Sequence, residues 1–385
     1  MNNDALAAAR TLAPTILSSR NETEAARRLA EPIVAGLRTA RLCRMALTED
    51  VAGLAMRTPD MLDVYEALSY AEPSVGWIVW NNAFTCFFSR HLAPKVRQTI
   101  FGDAQWLYAG STRPTGKASA DGDHYRIEGR WSLVSGCELA EWLMLMCIVE
   151  ENGQMRMAGP NQPEMRFAFV RRGDFEILDT WHVGGLRGTG SHDVAIKGVR
   201  VPRSHTLSPA EPSMLDAPLG RTPIICSMAA GYGAQALGIA QCSIDTLVEI
   251  TKAKVSPDSG IGLRDRTDVL ESIARHGAAL DAARAYLRTR AEELWDMAET
   301  GAQASLDGIS AVWTAALHAA DAALRTVVAT YAAAGTTSLY TDCPLERAHR
   351  DIHAMLRHIV VQPFWLWDAG RAKLGIAPAH PLYAI

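Results

Sequence analysis

QWLYAGS (residues 105–111), HYRIEGRWSLVS (124–135), EWLMLMCIV (141–149), MRFAFVRR (165–172), FEILDTWHV (175–183) and HDVAIKGVRV (192–201) decide how this chain folds. Each run is short and rich in β-branched and aromatic residues, and Gly, Asp, Asn or Pro separates it from the next. Asp121-Gly122-Asp123 between the first two long runs is a hairpin-type turn. This spacing predicts an antiparallel β-barrel or sandwich over residues 104–207.

Outside that zone the pattern is helical. Residues 1–103 carry alanine, leucine and arginine at helical spacing. Pro59 and Asp60 open one helix, with Leu62, Tyr65, Leu68 and Tyr70 near one face. Glu72-Pro73-Ser74 breaks it, and Ser74 or Val75 starts another that runs to about Leu92. SPAEPSMLDAPLGRT reads as a linker over residues 208–222. Beyond it, Ile273, Leu280, Leu287 and Leu294 recur one heptad apart, with Val269 and Tyr286 beside them, which predicts the seam of a long bundle helix. ALHAADAALRTVVATYAAAG is a second helix. LERAHRDIHAMLRHIVVQPFWLWDAG is a third, kinked or ended near Pro363. The expectation is an α+β, multi-domain chain: helices over 1–103, the β-domain over 104–207, the linker, and a helical bundle over 223–385.

Composition excludes several function classes. A net charge of −4 gives no reason to expect nucleic acid or an anionic membrane as the main partner. No apolar run is long enough to span a bilayer, and MNNDALAAARTLAP has no apolar core of a secretory leader. The cysteines, Cys43, Cys86, Cys137, Cys147, Cys226, Cys242 and Cys343, are odd in number, scattered and never paired as C-x-x-C. They suit reduced thiols in a cytoplasm rather than a disulfide scaffold or structural zinc. The chain has no H-E-x-x-H, no Walker A pattern and no strand-borne G-x-G-x-x-G. His349 and His353 share a helix face, but no third ligand is evident, so no metal is expected.

Five stretches then resemble one family in its order and spacing. They are SVGW (74–77), AGSTRPTG (109–116), GRWSLVSG with AEW (129–136 and 140–142), GLRGTGS with VRVP (185–191 and 199–202), and AG followed by RDIH (334–335 and 350–353). Together they resemble the acyl-CoA dehydrogenase superfamily, and in detail its oxygenase branch, the group D two-component flavin-dependent monooxygenases. That resemblance implies an N-terminal helical domain, a central antiparallel β-barrel or sandwich and a C-terminal four-helix bundle assembled as a homotetramer. It implies reduced flavin, FMNH2 or FADH2, as cofactor, O2 as co-substrate, and a separate NAD(P)H:flavin reductase as partner. One oxygen atom would enter a small aromatic or heteroaromatic substrate by way of a flavin C4a-hydroperoxide.

The resemblance also assigns residues. Ser135 matches the hydroxyl at flavin N5, and Ser111 matches a serine near the reacting side of the ring, with Thr112 beside it. Trp131 and Leu133 alternate with Ser135 and would pack near the ring. Arg187, Thr189 and Ser191 lie in a loop near the cofactor, where Arg187 could meet a phosphate. His358 matches a histidine near flavin and substrate, able to move a proton near neutral pH. Each has a plainer reading: serines bonded to their own backbone, a simple β-turn, a structural histidine. Phenol hydroxylases of this branch carry a second histidine where this chain has Thr85, and threonine is no base at neutral pH. Asn82, Phe84 and Thr85 are the candidate substrate-binding residues, with Asn81 beside them. An N-oxygenase acting on an amine or aminosugar, an acyl-CoA dehydrogenase and a non-catalytic flavin-binding protein are the alternatives. Against the dehydrogenase, no glutamate follows Arg350-Asp351.

Overall fold

In the computed structural model, described for residues 2–160, 162–255, 260–380 and 383, the chain begins with helices. These are α1 (Asn2–Ser18), α2 (Arg20–Ala26), α3 (Glu31–Thr39), α4 (Thr58–Ala71), α5 (Pro73–Phe87) and α6 (Pro94–Phe101). Pro59 and Pro73 stand in the first turns of α4 and α5, where a missing N–H costs nothing. The Glu72 side chain accepts from Ser74 N at 3.4 Å and caps α5.

Strands β1 (Leu107–Asp121), β2 (His124–Val134), β3 (Ala140–Glu151), β4 (Gln154–Met155), β5 (Met157–Gly159), β6 (Gln162–Pro163), β7 (Met165–Arg171), β8 (Glu176–Leu178), β9 (His192–Pro202) and β10 (Thr206–Leu207) follow. The main sheet runs β10-β7-β3-β1-β2-β9-β8, with β4 paired to β3. Its pairs are antiparallel except one: β1 and β3 run parallel. That exception departs from the alternation expected of the sequence. β2 turns back at Asp121-Gly122-Asp123 to one side of β1, and β3 then returns on the other side, so β1 and β3 share a direction.

Period-two alternation sends one face of the sheet inward on itself. Ala118, Ile127, Trp131, Leu143, Leu145 and Val194 form a core that the sheet encloses. The opposite face presents Tyr108, Trp142, Met144, Met146, Phe167 and Phe169 to the helices. β3 is therefore buried on both sides, as its near-continuous apolar run requires.

Residues 208–222 are not wholly irregular, since α7 (Pro218–Arg221) lies in them. Then come α8 (Ile224–Ala253), α9 (Thr267–Glu299), α10 (Leu306–Ala333), α11 (Pro344–Met355) and α12 (Phe364–Lys373). On α9, Leu280, Leu287 and Leu294 are buried, as the heptad spacing predicts. The last predicted helix is broken earlier than Pro363. α11 ends at Met355, and His358, in extended conformation, caps a 3-10 turn at Ile359–Val361.

One side chain ties the helical entry to the sheet. Asn82, on α5, accepts from Tyr108 N at 2.7 Å and donates to Ile78 O at 3.1 Å. Both ends of its amide are thus spent, and the residue is buried. Asn82 holds β1 against α5 and is not free to bind substrate, which corrects the sequence expectation. Replacing Asn82 with Leu strands the buried Tyr108 N–H, and the expected loss is about 1–3 kcal/mol of stability. A urea melt should show a lower midpoint at unchanged slope; a midpoint equal to wild type would refute the anchoring role.

Candidate active site

The site is organised by α5. Its start at Pro73 puts Trp77, Asn81 and Phe84 on one face at i, i+4 and i+7. Trp77 is buried, and its indole N–H donates to Ser135 Oγ at 3.0 Å, just past the end of β2. The imidazole of His358 packs against the same indole edge to face, with centroids 5.2 Å apart. Trp77 therefore stands between the two residues that the sequence resemblance places nearest the cofactor.

His358 sits in an aromatic box. Trp80 meets it edge on at 5.5 Å, and Tyr232 of α8 stacks on it at 5.9 Å and 24°. Gly231 makes this arrangement possible, because a Cβ there would lie 2.9 Å from both Trp80 Cδ1 and Tyr65 Cε2. The Tyr232 hydroxyl donates to Met355 O at 2.5 Å, which fixes the end of α11 and the turn that carries His358. Val360 N donates to His358 Nδ1 at 3.3 Å, so a neutral imidazole carries its hydrogen on Nε2. Burial, and next the positive charge of Arg113, push the His358 pKa down to about 4. The sequence expectation of a histidine titrating near neutrality is corrected accordingly: His358 is an uncharged Nε2–H donor across the physiological range.

Ser135 leads into a row of hydroxyls. Its Oγ lies 2.8 Å from Ser191 Oγ, which lies 2.7 Å from Thr189 Oγ1, and Thr189 donates to Leu186 O at 2.8 Å. Thr189 and Ser191 are buried behind Ser135 and do not themselves front an opening. Arg187 is held by its own chain: it donates to Glu24 O at 3.4 Å and Val183 O at 3.3 Å, and its guanidinium lies 4.0 Å from a Glu24 carboxylate oxygen. A phosphate would have to compete with those partners.

The expected alternation of Trp131, Leu133 and Ser135 fails. A bulge interrupts the β2–β9 register between Trp131 and Val134, and Leu133 takes a left-handed φ of 60°. Trp131 consequently turns into the enclosed core, wholly buried, with its N–H on Met146 O at 2.8 Å. That places Trp131 inside the sheet's own core and not on one face with Leu133. Leu133 is turned outward, 48% exposed, beside Ser135.

On β1, Ser111 is nearly buried and accepts from Arg113 N at 3.3 Å, while Thr112 is half-buried. Thr85 is fully buried, yet its hydroxyl has no hydrogen-bond partner among the described residues. Gly110, next to Ser111, leaves the space beside it: a Cβ there would lie 3.1 Å from Thr85 Oγ1. Phe84 is half-buried against Phe88. Asn81 uses its amide on Trp77 O at 3.1 Å. His349 and His353 have rings 4.6 Å apart, with Tyr331 stacked on His349. Among the described residues no group of three His, Cys, Asp or Glu could hold a metal, and no helix is long and apolar enough to cross a membrane. Trp77 and Tyr232 were not among the sequence candidates. SVGW held the signal for Trp77, whereas nothing local marks Tyr232.

The residues fit an isoalloxazine, which needs apolar surface on a face and a few hydrogen bonds at an edge. Leu133 could supply the first and Ser135 the second. Residues 230–363 match the family model for the acyl-CoA dehydrogenase C-terminal domain. A pigment production hydroxylase of Rhodococcus erythropolis is 26% identical, covering 100% of both chains. The oxygenase component of an FADH(2)-dependent resorcinol hydroxylase of Rhizobium sp. is 26% identical over 94% of this chain and 91% of its own. XiaF from Streptomyces sp., solved with FADH2 and glycerol, superposes with a TM-score of 0.92 at 22% identity, covering 99% of this chain and 97% of that one. The fold is acyl-CoA dehydrogenase-like. The resemblance read from the five stretches is borne out: relatives that match the chain over nearly its whole length are named flavin-dependent monooxygenases and hydroxylases.

The depressed His358 pKa has a consequence for stability. Its folded value lies below the ordinary 6.5, so the unfolded chain binds more protons between pH 6.5 and 4. His358 therefore destabilises the fold progressively as pH falls through that window and is neutral above it. His358→Asn should remove at most about 3 kcal/mol of acid sensitivity there. Denaturant midpoints of the two proteins, measured from pH 7 to pH 4, should diverge; parallel curves would contradict a buried neutral imidazole.

Proposed function

We propose that this chain is the oxygenase component of a two-component system. A separate NAD(P)H:flavin reductase supplies it with FMNH2 or FADH2, and it transfers one oxygen atom from O2 to a small aromatic or heteroaromatic substrate. The observation that carries this reading is the convergence of Ser135 and His358 on the two sides of Trp77.

Bound reduced flavin supplies the electrons that activate O2. The chain's own part is positioning and exclusion of water. Ser135 would hold the N5 edge of the ring, and Leu133 would offer apolar surface to its face. Ser111 and Thr112 would approach the ring from β1. His358, uncharged and donating from Nε2, orients an acceptor group of the substrate or of the transferred oxygen. It is too weak a base to make phenolate at neutral pH, and Thr85 cannot do so either. This combination favours a substrate already rich in electrons, such as an indole, over one that must first lose a proton. Phe84 offers an apolar wall, and the unpartnered Thr85 hydroxyl a single polar contact.

The C-terminal helices and their connections leave Leu339, Tyr340, Leu366, Trp367 and Leu374 exposed. A second copy of this chain would cover such a surface, in keeping with a homotetramer. Cysteines without disulfides suit the cytoplasm.

The test is to reduce FMN or FAD anaerobically with protein present, then mix with 18O2 and a panel of indoles, phenols and aminosugars. An indole or phenol product carrying one labelled oxygen is the expected result. Hydrogen peroxide as the sole product across the panel would overturn the reading, and a labelled N-oxide from the aminosugar alone would move it to N-oxygenation.

A further inference from the structure

We propose that the buried hydroxyl row behind Ser135 fixes the direction of its hydrogen bond, so that the site takes flavin whose N5 carries a hydrogen and rejects the oxidised ring. This rests on the reading above that Ser135 meets N5, and it assigns Ser191 and Thr189 as positioning residues.

The row has four links: Trp77 Nε1 to Ser135 Oγ at 3.0 Å, Ser135 to Ser191 at 2.8 Å, Ser191 to Thr189 at 2.7 Å, and Thr189 to Leu186 O at 2.8 Å. An indole N–H can only donate, and a carbonyl oxygen can only accept. Each hydroxyl between them owns one hydrogen. All four bonds exist at once in a single arrangement: Trp77 donates to Ser135, Ser135 to Ser191, Ser191 to Thr189, and Thr189 to Leu186 O. The three hydroxyls are buried, so water does not offer a replacement partner for a reversed hydrogen.

Ser135 therefore presents a lone pair and no hydrogen to whatever occupies the site. N5 of reduced flavin bears a hydrogen and can donate to that lone pair. N5 of oxidised flavin bears only a lone pair and meets another. The selection is made by residues behind Ser135 that never touch the ring.

The members of the row should respond differently. Ser191→Ala removes the acceptor for the Ser135 hydrogen, which can then turn toward an oxidised N5. Thr189→Val does the same one step back, because Ser191 is then free to donate toward Ser135. Trp77→Phe removes a donor but leaves the Ser135 hydrogen on Ser191, so the preference should survive. A merely structural role would weaken both flavin states alike in all three variants.

Anaerobic titration with reduced FMN or FAD, and aerobic titration with the oxidised forms, gives the ratio of the two dissociation constants. Wild type should hold the reduced form at least about tenfold more tightly. The ratio should fall by about tenfold in Ser191→Ala and in Thr189→Val, and stay within about twofold in Trp77→Phe. The midpoint potential of bound flavin should drop by about 30 mV in the first two variants, the two-electron equivalent of tenfold. An unchanged ratio in both would overturn the proposal while flavin binding stands. Absence of binding by either flavin form to wild type would overturn it together with the flavin-site reading. Should Ser191→Ala not fold, Thr189→Val, closer in shape to the native residue, decides the matter.

Discussion

The hydrogen bond from the Trp77 indole to Ser135 is the contact through which the helical and sheet parts of this protein make one site. It requires α5 to be in register with the end of β2. That register is set by Pro73 and Glu72 at the start of α5, and by Asn82, which clamps the start of β1 two turns further along. A shift of one residue along α5 would turn Trp77 about 100° away from Ser135 and from His358 together. The geometry of the site is thus inherited from helix capping and a single buried amide, and less from the loops that line it.

His358 shows how packing decides what a residue type can do. A histidine in water is a base matched to neutral pH. Enclosed by Trp77, Trp80 and Tyr232, and near Arg113, it loses much of its affinity for a proton. The same enclosure fixes its ring plane and, through Val360 N, the position of its hydrogen. It becomes a directed donor at the cost of its basicity. With threonine at position 85 as well, this site holds neither of the two basic groups that would generate a phenolate, and the chemistry it can assist is narrowed accordingly.

Much of the fold was legible because periodicity is a local property. The helix over Thr58–Ala71, the buried heptad positions of Thr267–Glu299 and the strands between Leu107 and Leu207 follow from spacing alone. The parallel pairing of β1 with β3 did not, since it depends on which side of β1 the chain returns. Site residues divided along the same line. Trp131 was misplaced because a bulge at Leu133 breaks the alternation, and a left-handed leucine has no sequence signature. Asn82 and Arg187 look available in the sequence because one partner of each, Tyr108 N and Glu24, lies far away along the chain. Tyr232 was invisible, lying in the middle of a thirty-residue helix whose small residues only announce close packing.

The far end of the hydroxyl row explains why its direction is so constrained. Leu186 adopts a left-handed φ of 51°, which a leucine takes up at a cost of roughly 1–2 kcal/mol. It is held there from both sides. Its N–H donates to the Asp351 carboxyl at 2.6 Å. Its carbonyl receives Thr189 Oγ1 at 2.8 Å, Thr189 N at 3.1 Å and Trp181 Nε1 at 3.2 Å. A carbonyl so supplied with donors cannot swing away to release the Thr189 hydrogen. Asp351 in turn is buried with Glu72: burial first, and then the Glu72 charge, push the Asp351 pKa well above the ordinary carboxylate range. Glu72 is the residue that caps α5 and lies within 3.5 Å of Arg347 on α11. The cap that sets the position of Trp77 and the carboxyl that pins Leu186 thus belong to one buried cluster. Both ends of the row, the indole that can only donate and the carbonyl that can only accept, are positioned by the same few charges.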